Sequence, residues 1–145
     1  MQNYDFKQCR AICAELENTL GVYNWREVID EIKKGNDDFQ VAGYRFINRD
    51  EIDQVQQEEL ESDPYILGCF SDWLLADILN MPIEAIEALQ KHDFEIVGKM
   101  VVDLGKVAEL QEQYVRHDGY GHHFAHYDHE EHELESCNFS AFRIE

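Results

Sequence analysis

PYILGCFSDWLLADIL, residues 64–79, is apolar over most of a helical circumference and holds no basic residue. A helix that is hydrophobic nearly all round belongs in a core. The stretch therefore predicts the central buried helix of a mainly helical protein, opened by Pro64, a residue favoured in a first turn. Upstream, residues 49–61 read as a helix ending at Ser62-Asp63-Pro64, and Asn48 with Glu51 has the spacing of a capping box. Downstream, Pro82 opens a short helix with Ile83, Ile86 and Leu89 inward. A longer helix over residues 94–116 would bury Val97, Met100, Val101, Leu104, Val107 and Ala108, with Gly98 and Gly105 interrupting its pattern.

Toward the N-terminus, Cys9, Ile12, Cys13, Leu16 and Leu20 recur on one helical face, and Gly21 stops the pattern. Asn24 is a good N-cap for a second helix with Trp25, Val28, Ile29 and Ile32 inward, closed by Gly35. Residues 39–47 (FQVAGYRFI) have strand-like content with a break at Gly43, and residues 122–127 and 138–144 read as two short strands joined by an acidic, His-rich loop. The expected fold is α+β, mainly helical: a bundle-like body with a small antiparallel sheet made by the C-terminal hairpin and the strand near 39–47. One domain is expected over 1–145, with a helical hairpin at 1–35, a helical body at 36–117 and a His-rich acidic β-hairpin at 118–145.

Composition narrows the function. Thirty-one Asp and Glu against twelve Lys and Arg give a formal net charge of -19 on 145 residues. Solubility asks for a magnitude of only about 2–8 in a small domain, and the surplus costs stability through self-repulsion. A hydrophobic content of 44% with 12% aromatic residues excludes a disordered acidic tail. No apolar run reaches the roughly 18–20 residues of a membrane span, and the N-terminal residues lack a signal-peptide pattern. A cytoplasmic protein without membrane contact is expected. Cys9, Cys13, Cys69 and Cys137 form no CxxC pair and read as thiols packed in or near the core.

No nucleophile motif and no Gly-rich loop opening a helix is present, so neither an enzyme nor a cofactor is expected. Residues 71–90 have the outline of a helix-turn-helix, with the turn at Asn80-Met81-Pro82. Its second helix offers Glu84, Glu87 and Gln90, and Lys91 only at the end, so direct nucleic-acid binding is not expected.

The helix read over 49–61 carries Asp50, Glu51, Asp53, Glu58, Glu59 and Glu61. At about 100° per residue, all but Glu59 fall on one half of the circumference, in the same sector as Gln54 and Gln57. Such a row resembles the charge repeat of a DNA strand, about 3.4 Å along the axis; a plain solvated face is the competing explanation. A second patch comprises Asp128, Glu130, Glu131 and Glu133, with Tyr120 and Tyr127 as candidate anchors. His117, His122, His123, His126, His129 and His132 lie among these carboxylates. Imidazole and carboxylate groups suit zinc or nickel, and histidines titrate near neutrality. No HExxH spacing exists, so no metal site is expected; His122, His126, His129 and His132 are the ligands a metal- or pH-responsive module would use.

SDPYILGCFSDWLLADIL (62–79) and DGYGHHFAHYD (118–128), with a FRI strand at 142–144, resemble segments of small acidic uncharacterised proteins of bacteriophages and mobile elements. The similarity covers about residues 43–145 and leaves out the N-terminal hairpin. What it implies is context: small acidic phage proteins include antirestriction proteins and anti-CRISPR inhibitors, several of which imitate DNA. The expected function is then an inhibitor that blocks the DNA- or RNA-binding surface of a basic host defence protein, a CRISPR effector or restriction enzyme, in the bacterial cytoplasm. Asp50, Glu51, Asp53, Glu58 and Glu61 would bind the partner, with Tyr120, Tyr127, Asp128, Glu130, Glu131 and Glu133 as a second contact. The alternatives are the metal- or pH-responsive module and an inhibitor acting through a hydrophobic interface. A homodimer through the amphipathic N-terminal hairpin is a further expectation.

Overall fold

The computed structural model describes residues 4–145. The fold is α+β and mainly helical, with a four-stranded antiparallel sheet, as the sequence predicts. The segments 1–35, 36–117 and 118–145 distribute over two compact units, one of residues up to Ile52 with Gly119–Glu145, the other Asp53–Asp118.

The first unit opens with α1 (Phe6–Glu15), whose capping box is Asp5 and Gln8: Gln8 N donates to Asp5 Oδ1 at 2.8 Å and Asp5 N to Gln8 Oε1 at 3.0 Å. A π-helical turn over Leu16–Leu20 follows, ended by Gly21 in the left-handed region at φ 66°. Helix α2 (Trp25–Lys33) buries Val28, Ile29 and Ile32. Strands β1 (Asp38–Val41), β2 (Tyr44–Asn48), β3 (His132–Glu133) and β4 (Phe139–Arg143) pair in the order β1-β2-β4-β3. Phe39 faces Phe46, and Phe46 faces Ala141 across the strands. These residues, with Phe139, share a core with Ile12 and Leu16 of the N-terminal helical segment and Val28 and Ile32 of α2. The rings of Phe39 and Phe46 stack at 5.3 Å. On the other face the Arg45 guanidinium lies over the Phe124 ring at 5.0 Å, and Phe124 packs on Phe142 at 5.1 Å.

Three local expectations in this unit are corrected. Residues 39–47 are two strands joined by Ala42 and Gly43 at φ 53° and 81°, because two consecutive positive φ values make a tight hairpin turn whose twist matches the strands. Residues 122–127 form no strand. Gly121–Phe124 is a short helix, here α9, whose start is pressed so close to His129 that a Cβ on Gly121 would lie 2.3 Å from the His129 carbonyl oxygen. Asn48 makes no capping box: its Oδ1 accepts from Asp50 N at 3.0 Å and its carbonyl from Glu51 N at 2.9 Å. That turn delays α3 (Ile52–Glu61), so Arg49, Asp50 and Glu51 precede the helix.

The second unit holds most of α3 with α4 (Pro64–Gly68), α5 (Asp72–Leu79), α6 (Ile83–His92), α7 (Phe94–Asp103) and α8 (Val107–Asp118). The expected single helix over 64–79 is thus two helices, broken at Cys69–Ser71. The break leaves carbonyls without helical partners, and Gln90 of α6 takes them: its Nε2 donates to Gly68 O at 3.0 Å and Phe70 O at 2.9 Å. Leu67, Leu74, Leu75, Ile78 and Leu79 are buried, but Tyr65, Ile66 and Trp73 are exposed, so the stretch is not buried all round. The 94–116 helix is likewise split, at Gly105 with φ 68°, which leaves Leu104 58% exposed and Ala108 exposed as well. Ile83 also turns outward, while Ile86, Val97, Val101 and Val107 go in as expected. No helix among the described residues is long and apolar enough to cross a membrane.

Candidate functional site

The charge is divided unevenly along the chain. Residues 1–35 carry six acidic and five basic side chains, while residues 36–145 carry twenty-five and seven. Nearly the whole surplus therefore lies outside the N-terminal hairpin. Its crowding has a chemical sign: the Glu87 carboxyl is held above its ordinary pKa, first by a hydrogen bond with Asp72, then by desolvation and the Asp72 charge.

Helix α3 turns Gln56 and Leu60 inward and leaves Asp53, Gln54, Glu58 and Glu61 exposed. The exposed four span a sector of about 140° at the helical repeat. Glu59 is half-buried. Asp53 is held in place from below: the buried Gln111 of α8 donates through Nε2 to Asp53 Oδ1 and to Gln56 Oε1, both at 2.9 Å. Gln57 donates to Gln111 Oε1 at 3.2 Å, and Gln54 to Glu58 Oε1 at 2.9 Å. The row is thus partly immobilised by amides, a feature hidden from the charge pattern alone. Asp50 and Glu51 are exposed in the turn before the helix.

The second patch is less uniform than its sequence. Tyr127 is 69% exposed, with the Arg143 guanidinium 6.0 Å over its ring, whereas Tyr120 is half-buried. Glu130 and Glu133 are exposed. Glu131 points back to β4 and accepts from the Ser140 hydroxyl at 2.6 Å. Burial, with the Glu133 charge, raises its pKa against the opposing pull of Ser140 and Arg49. Asp128 accepts from Glu130 N at 3.1 Å and lies 4.0 Å from His132 Nε2. Of the four histidines read as a ligand set, His122 and His129 stack ring on ring at 4.8 Å, and His126 packs against Tyr127. Among the described residues, the group whose ligand atoms converge within 4.8 Å is instead Asp128, Glu130 and His132. All four cysteines are free: Cys137 is buried, Cys9 and Cys13 half-buried, and Cys69 exposed rather than in the core.

Two polar residues that organise the first unit escape a reading based on the acidic row. Arg49 donates to Phe139 O at 2.6 Å, Leu134 O at 3.0 Å and Cys137 O at 3.1 Å. Its sequence signal is rarity, one of seven basic residues in 36–145. Glu15 accepts from Glu135 N and Ser136 N, both at 2.8 Å, and from the Ser136 hydroxyl. Burial alone would raise its pKa; the Ser136 hydroxyl, the two amides and the Arg49 charge more than reverse this and hold it below the ordinary 4.5. The depressed value means the stabilisation is complete above pH 4.5 and is lost as pH falls through the folded-state pKa. Glu15→Gln is expected to cost about 1 kcal/mol at neutral pH, a modest figure because the carboxylate is partly solvated. It should also flatten the acid limb of the stability profile; urea unfolding from pH 7 to pH 3 measures both, and an unchanged acid limb would refute the assignment.

Comparison with protein-family models, with curated proteins and with solved structures gives no match to this chain.

Proposed function

We propose that the protein is a stoichiometric acidic inhibitor of the antirestriction or anti-CRISPR kind. It binds a basic nucleic-acid-handling protein, such as a CRISPR effector or restriction enzyme, and occupies the surface meant for DNA or RNA. The observation that carries this reading is the exposed carboxylate row Asp53, Glu58 and Glu61 on one face of α3, with Asp53 tied to Gln111. A carboxylate held by a buried amide loses less freedom on binding than a loose one, which favours complementarity to a fixed set of Lys and Arg. The overall surplus adds long-range attraction, faster encounter and salt sensitivity. Asp50 and Glu51, and separately Asp128, Glu130 and Glu133 with Tyr127, extend the acidic surface available to such a partner.

The experiment is capture of partners from bacterial lysate at low and at high salt, followed by competition with duplex DNA and with RNA. A basic nucleic-acid-binding protein, released by salt and displaced by nucleic acid, is the expected result. Asp53→Lys, Glu58→Lys and Glu61→Lys combined should weaken that complex about 100-fold at low salt. Binding that survives the triple reversal would reject mimicry by α3 and favour an apolar interface.

A further inference from the structure

The least acidic part of the molecule also carries an unfilled apolar groove. Helix α1 and the start of α2 enclose about 400 Å³ floored by Cys9, Cys13, Ala14 and Trp25. Phe6 and Arg10 stand toward its N-terminal end and Glu17 toward the other. Phe6 is 78% exposed although the capping box at Asp5 and Gln8 fixes the helix that presents it. Phe6, Arg10 and Cys13 of α1 and Glu17 of the π-helical turn that follows it all line this groove, so the N-terminal helical segment has a second stripe beside the one that buries Ile12 and Leu16. The Arg10 guanidinium lies 5.8 Å over one face of the Phe6 ring, and the rest of this exposed aromatic, beside an apolar hollow, is open to a further contact.

We propose that this stripe is a homodimer interface, in which the α1 helices of two copies pack antiparallel and each places Phe6 in the groove of the other. Charge selects a second copy as the occupant. The stripe carries a basic residue toward its start, Arg10, and an acidic one at its end, Glu17. Antiparallel pairing about a two-fold axis brings each basic end to the other copy's acidic end, so the surface is complementary to itself. Elsewhere two copies meet as bodies of like charge, since residues 36–145 carry twenty-five acidic and seven basic side chains. The hairpin, at six against five, is where they can approach without that repulsion. A strongly basic partner is drawn instead to the acidic surface, and an acidic one is repelled by the net charge of -19.

Salt separates this contact from the partner complex proposed above. Screening relieves repulsion between two like-charged bodies, so added salt should tighten the dimer while it releases a basic partner. Neither result depends on the other, because the dimer is measured on the purified protein alone.

The test is sedimentation equilibrium of the full chain from low micromolar to several hundred micromolar concentration, at low and high salt. A concentration-dependent monomer–dimer equilibrium is expected. Phe6→Glu should raise its midpoint at least about 30-fold, since it removes the aromatic anchor and adds repulsion. Arg10→Glu should also weaken it, and adding Glu17→Arg to Arg10→Glu should restore it. A wild-type protein that stays monomeric throughout overturns the proposal. So does a dimer indifferent to Phe6→Glu, or an Arg10–Glu17 exchange that restores nothing. The exchange keeps the test decisive even were Phe6→Glu to disturb folding, which its melting temperature reports.

Discussion

Gly98→Ala is expected to unfold the Asp53–Asp118 unit, with a loss above about 4 kcal/mol, at the extreme of single-substitution effects. Helix propensity alone argues the opposite, since Ala is better than Gly in a helix interior by about 1 kcal/mol. Packing decides the sign. A Cβ on Gly98 would lie 1.6 Å from the Pro64 carbonyl oxygen and 2.5 Å from its carbon. The contact is reciprocal, because a Cβ on Gly68 would lie 1.7 Å from the Phe94 carbonyl oxygen. Each glycine of α4 and α7 thus faces the first residue of the other helix, an antiparallel backbone-to-backbone crossing with no flexible side chain to yield. Gln90 of α6 also resists a shift of α4, since its Nε2 holds the last carbonyl of that helix at 3.0 Å. Circular dichroism with urea titration measures the effect. Gly105→Ala is the control: that residue has φ 68° and nothing within 4 Å of a built Cβ, so only backbone strain of about 1 kcal/mol is expected. A Gly98→Ala protein as stable as the parent would refute the close crossing.

Arg49→Met should cost about 3 kcal/mol and loosen the C-terminal strand. The guanidinium satisfies the Leu134, Cys137 and Phe139 carbonyls together, and the Arg49 amide donates to Asn138 O at 2.9 Å. It is the clamp between the turn after β2 and the loop that leads into β4. Met keeps much of the apolar stem but takes the guanidinium from the Leu134 and Cys137 carbonyls and leaves Phe139 O with the Leu134 amide alone. Arg49→Lys should recover little, because one ammonium cannot reproduce the spread of the planar fork. Urea unfolding reads the loss, and amide exchange at Phe139 to Arg143 locates it. The acid limb offers a second readout: Arg49 helps hold the Glu15 pKa down, so the variant should lose less stability than the parent as pH falls below 4.5. Exchange rates in β4 equal to those of the parent would reject the clamp.

The site was legible in its composition and obscure in its detail. The acidic row on α3 follows from residue spacing, because a helical repeat places Asp53, Glu58 and Glu61 on one side whatever they pack against. That Asp53 is tethered while Glu131 turns inward does not follow. Those outcomes depend on Gln111 and Ser140, which are 58 and 9 residues away in the chain.

By itself the sequence determined the periodic segments and their chemistry: the N-terminal helical hairpin, the strand content at 39–47 and 138–144, the mainly helical α+β class and the charge of -19. These are properties of neighbours within one or two turns, where side-chain spacing and caps act directly. Only the tertiary structure decided where those segments stop and what they join. The 64–79 stretch looks like one helix because its apolar residues run on unbroken. It becomes two because Gln90 accepts the burden of the freed carbonyls and because Gly68 lets α7 approach. Likewise β4 takes β2 and β3 as neighbours instead of residues 122–127. Helix ends and strand partners are settled by groups distant in the chain, and no local pattern records which of them will arrive.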